Sequence, residues 1–312
     1  MECMAIHRMA LPPRFVNMRD AVRHAGRWVR PDESGESMQR IPRGYFEGPS
    51  GQVHYRRMAL PGGRPLLLLH QSPLSSTQFE AVLPRLQARG YDAVALDLPG
   101  FGLSDEAPPD ATLDEYASVL DVALEALGWA DAHFVGHHTG AVIAAMFAAA
   151  QPVRVRRLVL NGFPLLTPAE REHFGTFYFG PKQPRADGSH LLTAWNNRLR
   201  SSPGWTDLAL MHRYTVEGLY RGATNWRAFP LILQADLGGL LQALQVPTLL
   251  LTNTGEDLYE ATLRCRALRP DFFAFQALQG GTHDIVDEQP EPWVDAVTTF
   301  LGDTRRSSAS LA

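Results

Sequence analysis

His138 stands in the run Gly136-His137-His138-Thr139-Gly140, where residue types and spacing together suggest chemistry. Glycines two positions either side of an apex suit a strand that turns sharply into a helix, because the apex residue is strained and the backbone around it packs closely. Imidazole is neither an alcohol nor a carboxylate, but its ordinary pKa of about 6.5 makes it a competent nucleophile or general base near neutral pH. Other reactive types lie far along the chain. Glu256 and Asp257 follow Gly255, His283 sits in Gly280-Gly281-Thr282-His283-Asp284, and His70 opens His70-Gln71-Ser72-Pro73. The residue types His70, His138, His283 and Asp257 would suit zinc. No ligand pair among them has helical i, i+4 spacing, which tells against a metal site there; no cofactor is expected either.

These residues need a scaffold, and the hydropathy pattern outlines one. Gly44–Glu47 and Gln52–Arg57, divided by Gly48-Pro49-Ser50-Gly51, read as a hairpin. Pro65–His70 is a continuous apolar run, as a strand buried on both faces requires. A helical pattern from Thr77 to Arg89 follows, then a strand over Asp92–Leu98 and a helix over Ala111–Leu127. Ala132–Val135 is a short strand running into Gly136, Ala141–Ala150 is helical, and Arg157–Asn161 is a further strand. Strands alternating with helices imply right-handed crossovers and a mostly parallel sheet. The alternation stops after Phe163, where aromatic-rich helical patterns begin. It resumes with strands at Pro247–Thr252 and Asp271–Phe275 and closes with a helix over Pro292–Leu301. The chain therefore reads as an α/β core over residues 41–163 and 244–302, interrupted by a helical cap over 164–243.

The ends differ from this body. Residues 1–40 form an extension whose first thirty residues carry Arg8, Arg14, Arg19, Arg23, Arg27 and Arg30 against only Glu2 and Asp20. Without an apolar stretch there, a secretory signal is not expected. The composition fits an extension packed on the body or left loose; an organellar transit peptide and a basic amphipathic helix are the other readings. Residues 303–312 are expected to be a flexible tail. A net charge of −4 gives no general attraction to nucleic acid or membrane. No apolar run approaches the ~20 residues needed to span a bilayer. Cys3 and Cys265 are too far apart in sequence to suggest a disulfide framework, which makes a reducing cytoplasm the expected setting.

The ordered motifs resemble the α/β-hydrolase superfamily over about residues 44–302. The elbow matches G-x-S-x-G except that histidine replaces the usual serine, cysteine or aspartate. His70–Pro73 occupies the place of an H-G-x-P loop with Gln71 for glycine, and Asp97–Asp105 matches D-x-P-G-x-G-x-S, a structural turn. The resemblance implies an α/β-hydrolase fold: a mostly parallel central sheet flanked by helices, with an inserted helical cap. It further implies an oxyanion hole from the backbone N–H groups of Ser72 and Thr139. The chain order of nucleophile, acid and histidine implies His138, Asp257 and His283 as catalytic residues, with Asp257 orienting His283. Glu256 competes with Asp257 for that role. His70 and His137 are expected to be structural, Asp284 a polar turn residue, and Ser72 a substitute nucleophile at most. The stretch His70–Ser76 looks most like haloalkane dehalogenases and epoxide hydrolases, but those need aspartate at the elbow.

An enzyme acting on a small carbonyl or ester compound is the leading expectation, with His138 as nucleophile or base. The alternatives are non-hydrolytic acid–base chemistry (C–C cleavage, decarboxylation or a lyase reaction), with His138 and His283 as the pair, and a non-catalytic ligand-binding relative. The aromatic cap suggests a small apolar or aromatic substrate. Oligomeric state is not legible.

Overall fold

The computed structural model describes residues 40–177 (backbone alone at Phe177) and 180–302. The Arg-rich extension, save Arg40, and the tail over 303–312 lie outside the described residues. Among the described residues eight strands form one sheet, in the order β1-β2-β4-β3-β5-β6-β7-β8. β1 (Arg43–Gly48) and β2 (Gly51–Met58) are the expected hairpin, and β2 pairs antiparallel with β4 (Tyr91–Leu96). From β4 onward every pairing is parallel, through β3 (Arg64–Leu69), β5 (Ala132–His137), β6 (Val155–Asn161), β7 (Thr248–Asn253) and β8 (Phe273–Leu278).

The unbroken apolar run in β3 is explained by cover on both faces. Side chains alternate along a strand, so Leu67 and Leu69 enter one core while Leu66 and Leu68 enter the other. The first core is filled by helices α2 (Leu113–Leu127) and α3 (Thr139–Ala150); the second is filled by α1 (Leu83–Ala88) and by Trp293 of α11 (Pro290–Gly302). α2 starts with a capping box, in which Thr112 and Glu115 satisfy each other's backbone N–H groups, and ends at left-handed Gly128. The single helix expected over Thr77–Arg89 is in fact broken. A 3-10 turn at Ser76–Phe79 precedes α1, which begins afresh with Pro84 in its first turn, where the missing N–H costs nothing.

Among the described residues five helices lie between β6 and β7: α4 (Pro168–Phe177), α5 (Ser189–Ser201), α6 (Leu208–Tyr220), α7 (Ala228–Gln234) and α8 (Leu237–Ala243). They are not uniformly separate from the body. Ile232, Leu237 and Leu241 are buried in the same core as Val142 and Phe147 of α3, so α7 and α8 pack on the sheet layer. α9 (Tyr259–Leu268) and the short α10 (Ile285–Glu288) complete the element list. Among the described residues no helix is long and apolar enough to cross a membrane.

Candidate active site

The elbow is built by close backbone contact. A Cβ on Gly136 would fall 2.3 Å from the Gly140 carbonyl oxygen, and one on Gly140 would fall 2.2 Å from that of Leu69. Only glycine fits either place. Between them His138 has φ 47° and ψ −106°, and it is the one non-glycine with positive φ among the described residues. Such a conformation costs of order 1–3 kcal/mol. The apex is held because the His138 N–H donates to the Asn161 carbonyl at 2.9 Å while its own carbonyl receives the N–H groups of Ala141 and Val142.

Glu256 faces this histidine. Its Oε2 lies 2.7 Å from His138 Nε2. Its Oε1 receives the Thr252 hydroxyl and, at 3.3 Å, the Asn253 N–H, so the side chain is fixed from β7. Gly162 makes the pairing possible: a Cβ there would sit 2.3 Å from His138 Cδ2 and 2.7 Å from Glu256 Oε2. A carboxylate only accepts hydrogen bonds, so the proton of this pair is on Nε2 and the neutral imidazole keeps its lone pair on Nδ1. Burial and then the neighbouring His283 charge lower the His138 pKa, more than Glu256 and Asp257 raise it.

Asp257, the next residue, serves the other histidine. Its Oδ1 is 2.7 Å from His283 Nδ1. The carboxylate lies off the N–H direction, so the contact is an ion pair rather than a straight hydrogen bond. Burial alone would lower the His283 pKa, but the charge of Asp257, with Glu256 and Asp284 behind it, raises it above the ordinary value. Burial would likewise raise Asp257, yet the His283 charge brings its carboxyl down to about 2. The His138 and His283 rings meet edge to face with centroids 4.5 Å apart. Two histidines in contact thus have separate acids and pKa values displaced in opposite directions.

Ser72 and Thr139 also come together. The Ser72 N–H points at Thr139 Oγ1 across 3.4 Å, and the Thr139 hydroxyl donates to Ser72 Oγ at 3.0 Å. Thr139 opens α3, so its N–H has no acceptor within the helix. His70 is outside the group: its Nδ1 meets the Gln71 carbonyl at 2.9 Å and its Nε2 accepts the Leu98 N–H at 3.0 Å. Asp97, buried, anchors the loop after β4 by binding His54 and the N–H groups of Ser76 and Leu103, each at 2.8 Å. His137 is fully buried with Nδ1 on Gln78 Nε2, and its Nε2 has no partner among the described residues.

A cavity of about 480 Å³ opens above His138, His283, Ser72 and Thr139, walled mainly by the inserted helices. Asp284, expected to be a polar turn residue, is fully buried behind the cavity wall. It binds Arg198 and Ser202 at the end of α5 and, at 3.3 Å, Gln71 Nε2. It ties the insert to the loop that carries His283. The set of residues first weighed for zinc does not assemble. His137, His138 and Glu256 do bring donor atoms within 4.8 Å of one another. In that group Glu256 and His138 are already hydrogen-bonded to each other, and a cation would have to displace the shared proton.

Residues 64–258 match the family described as alpha/beta hydrolase fold. The chain belongs to that family. Among curated relatives, a 2-hydroxy-6-oxononadienedioate/2-hydroxy-6-oxononatrienedioate hydrolase of Burkholderia vietnamiensis is 35% identical over 37% of this chain and 41% of its own length. A non-heme haloperoxidase of Rhodococcus erythropolis is 35% identical over 35% of this chain and 40% of its own. The first relative matched, a serine hydrolase-like protein of Dictyostelium discoideum, is covered over 38% of its length, so the chain spans well under half of the relatives it matches. Among solved structures, an enol-lactonase from Burkholderia xenovorans superposes with a TM-score of 0.67 at 17% identity, covering 83% of this chain and all (100%) of that one. An epoxide hydrolase from Mycobacterium thermoresistibile gives 0.70 at 19% identity, over 85% and 99%. At these identities the structures show the shared fold.

Gly162 and the His138–Glu256 pairing were not foreseen from sequence. Gly162 follows β6 directly, in a run of ordinary loop composition, and nothing local marks it as the residue that leaves room for the pair.

Proposed function

We propose that this chain is a cofactor-independent hydrolase of a small carbonyl or ester compound, working beneath a cap formed by the inserted helices. The observation that carries the reading is the contact between two separately paired histidines whose pKa values are pushed apart, a pattern suited to a base and an acid working together. Neutral His138 takes a proton from water through Nδ1, with Glu256 holding Nε2–H and steadying the imidazolium that forms. The hydroxide adds to the substrate carbonyl. The resulting oxyanion is received by the N–H groups of Ser72 and Thr139, each worth roughly 3 kcal/mol in comparable sites. To accept it, the Thr139 hydroxyl must give up its long contact with the Ser72 N–H. The intermediate then collapses: the carbonyl re-forms, the C–O bond breaks, and protonated His283, supported in the charged form by Asp257, gives its proton to the departing alkoxide; the proton left on His138 passes to His283, directly or through water, and restores the starting pair.

The same pair favours a second reading, proton transfer without hydrolysis in a C–C cleavage or lyase reaction. A panel of p-nitrophenyl acetate and butyrate with His138→Ala and His138→Ser decides the first reading. Hydrolysis by the wild type and a loss of 10²-fold or more in His138→Ala support it. An inert wild type whose His138→Ser variant gains esterase activity overturns it. A reducing cytoplasm fits Cys265, a buried free thiol whose pKa burial pushes up to about 12.

A further inference from the structure

The cavity wall is electrically one-sided. Lys182, Arg185 and Arg198 line it, and among the described residues no aspartate or glutamate does. Arg198 is balanced by Asp284 just behind the wall. Lys182 has no such partner among the described residues: its Nζ donates to the Gly218 carbonyl at 3.0 Å, an acceptor it shares with Asn225 Nδ2 at 3.0 Å. An ammonium has three donors, so among the described residues two N–H bonds remain for a ligand. Asn225, itself 1% exposed and part of the lining, has no partner for its Oδ1 among the described residues.

The position of this ammonium is set by a glycine. Gly218, on α6, would carry a Cβ 3.1 Å from Pro73 Cγ and 3.6 Å from Lys182 Nζ. The absent side chain leaves one small volume shared by Lys182 and Pro73, and Pro73 directly follows Ser72. The ammonium is therefore lodged beside the loop that offers an N–H to a substrate carbonyl. Although Lys182 as a whole residue is exposed, enough protein surrounds its ammonium for desolvation to lower its pKa to about 8, as expected of a cation without a carboxylate to balance it.

We propose that the cavity takes a carboxylate-bearing substrate, its anionic group held by Lys182 while its reacting carbonyl lies at Ser72 and Thr139. This rests on the hydrolytic reading and narrows it. The apolar or aromatic substrate suggested by the cap composition is replaced by one with an apolar body and a charged end.

The experiment compares monomethyl glutarate with dimethyl glutarate as substrates, and measures glutarate binding by calorimetry, in wild type, Lys182→Met and Lys182→Arg, each checked for an unchanged circular dichroism spectrum. The expected result is a preference for the monoester in kcat/KM that falls at least tenfold in Lys182→Met and is largely restored in Lys182→Arg, with glutarate binding lost and regained in parallel. If neither ester is turned over but glutarate binds wild type and not Lys182→Met, the hydrolytic reading fails and the carboxylate site stands. An unchanged ester ratio, or glutarate binding that ignores Lys182, overturns the carboxylate site whatever the turnover.

Discussion

His138 Nε2 and Glu256 Oε2 lie 2.7 Å apart in a buried setting, so the elbow residue has a carboxylate of its own. An imidazole held this way has a defined tautomer and a stabilised cation, as a base or nucleophile needs. Glu256→Gln keeps the shape but removes the charge. It is expected to lower kcat by about 10- to 100-fold with little change in KM, since a charge-assisted hydrogen bond is worth roughly 1.5–3 kcal/mol. Steady-state kinetics checks this; an unaltered kcat would show that Glu256 only packs.

Activity should follow a bell-shaped pH profile. His138 works when neutral, and its pKa is below 6.5, so the rate rises on the acid side through a value under 6.5. His283 works when protonated, and its pKa is above 6.5, so the rate falls on the alkaline side through a higher value. The two constants belong to the coupled pair. Asp257→Asn removes the largest influence raising His283, and the alkaline limb should move to lower pH. A profile of kcat/KM in wild type and variant tests this, and a variant with an unmoved alkaline limb would contradict it.

Gly162→Ala should damage the site more than the fold. The new methyl would meet His138 and Glu256 within 2.3–2.7 Å, at a backbone φ of +62°. The left-handed conformation alone costs about 1–2 kcal/mol with a Cβ. A drop of a few degrees in Tm with at least a 100-fold loss of kcat is expected. Full activity would show that the pair tolerates displacement.

Asp284→Asn should act chiefly on stability. The Asp284 side chain is fully buried and its partner Arg198 is 10% exposed, so the substitution leaves a nearly buried guanidinium without its counter-charge. Breaking such a pair costs about 3–5 kcal/mol. Urea unfolding monitored by circular dichroism measures the loss, and a change under about 1 kcal/mol would mean that the insert does not depend on this tie.

Much of this molecule was legible from local pattern. The alternating strands and helices, the β1–β2 hairpin and the glycines of the elbow each answer to constraints within a few residues. The helix expected over Thr77–Arg89 failed for a local reason too, since Pro84 starts a new helix instead of continuing one. The site was legible as a set of residues, but not as pairs. Glu256 and Asp257 are adjacent, and either could be imagined to serve His283. Neighbouring side chains on a loop leave in different directions, so one reaches His138 and the other His283.

The amino-acid sequence alone therefore determined the fold and the strained apex at His138, because close backbone packing demands glycine at Gly136 and Gly140 and those demands are local. Only the tertiary structure decided which acid each histidine has, that Gly162 leaves space for one of those pairs, that Asp284 is buried under α5, and that Lys182 stands beside Pro73 across the gap at Gly218. Each of these depends on atoms far apart along the chain meeting within a few ångströms, a fact with no signature in local composition.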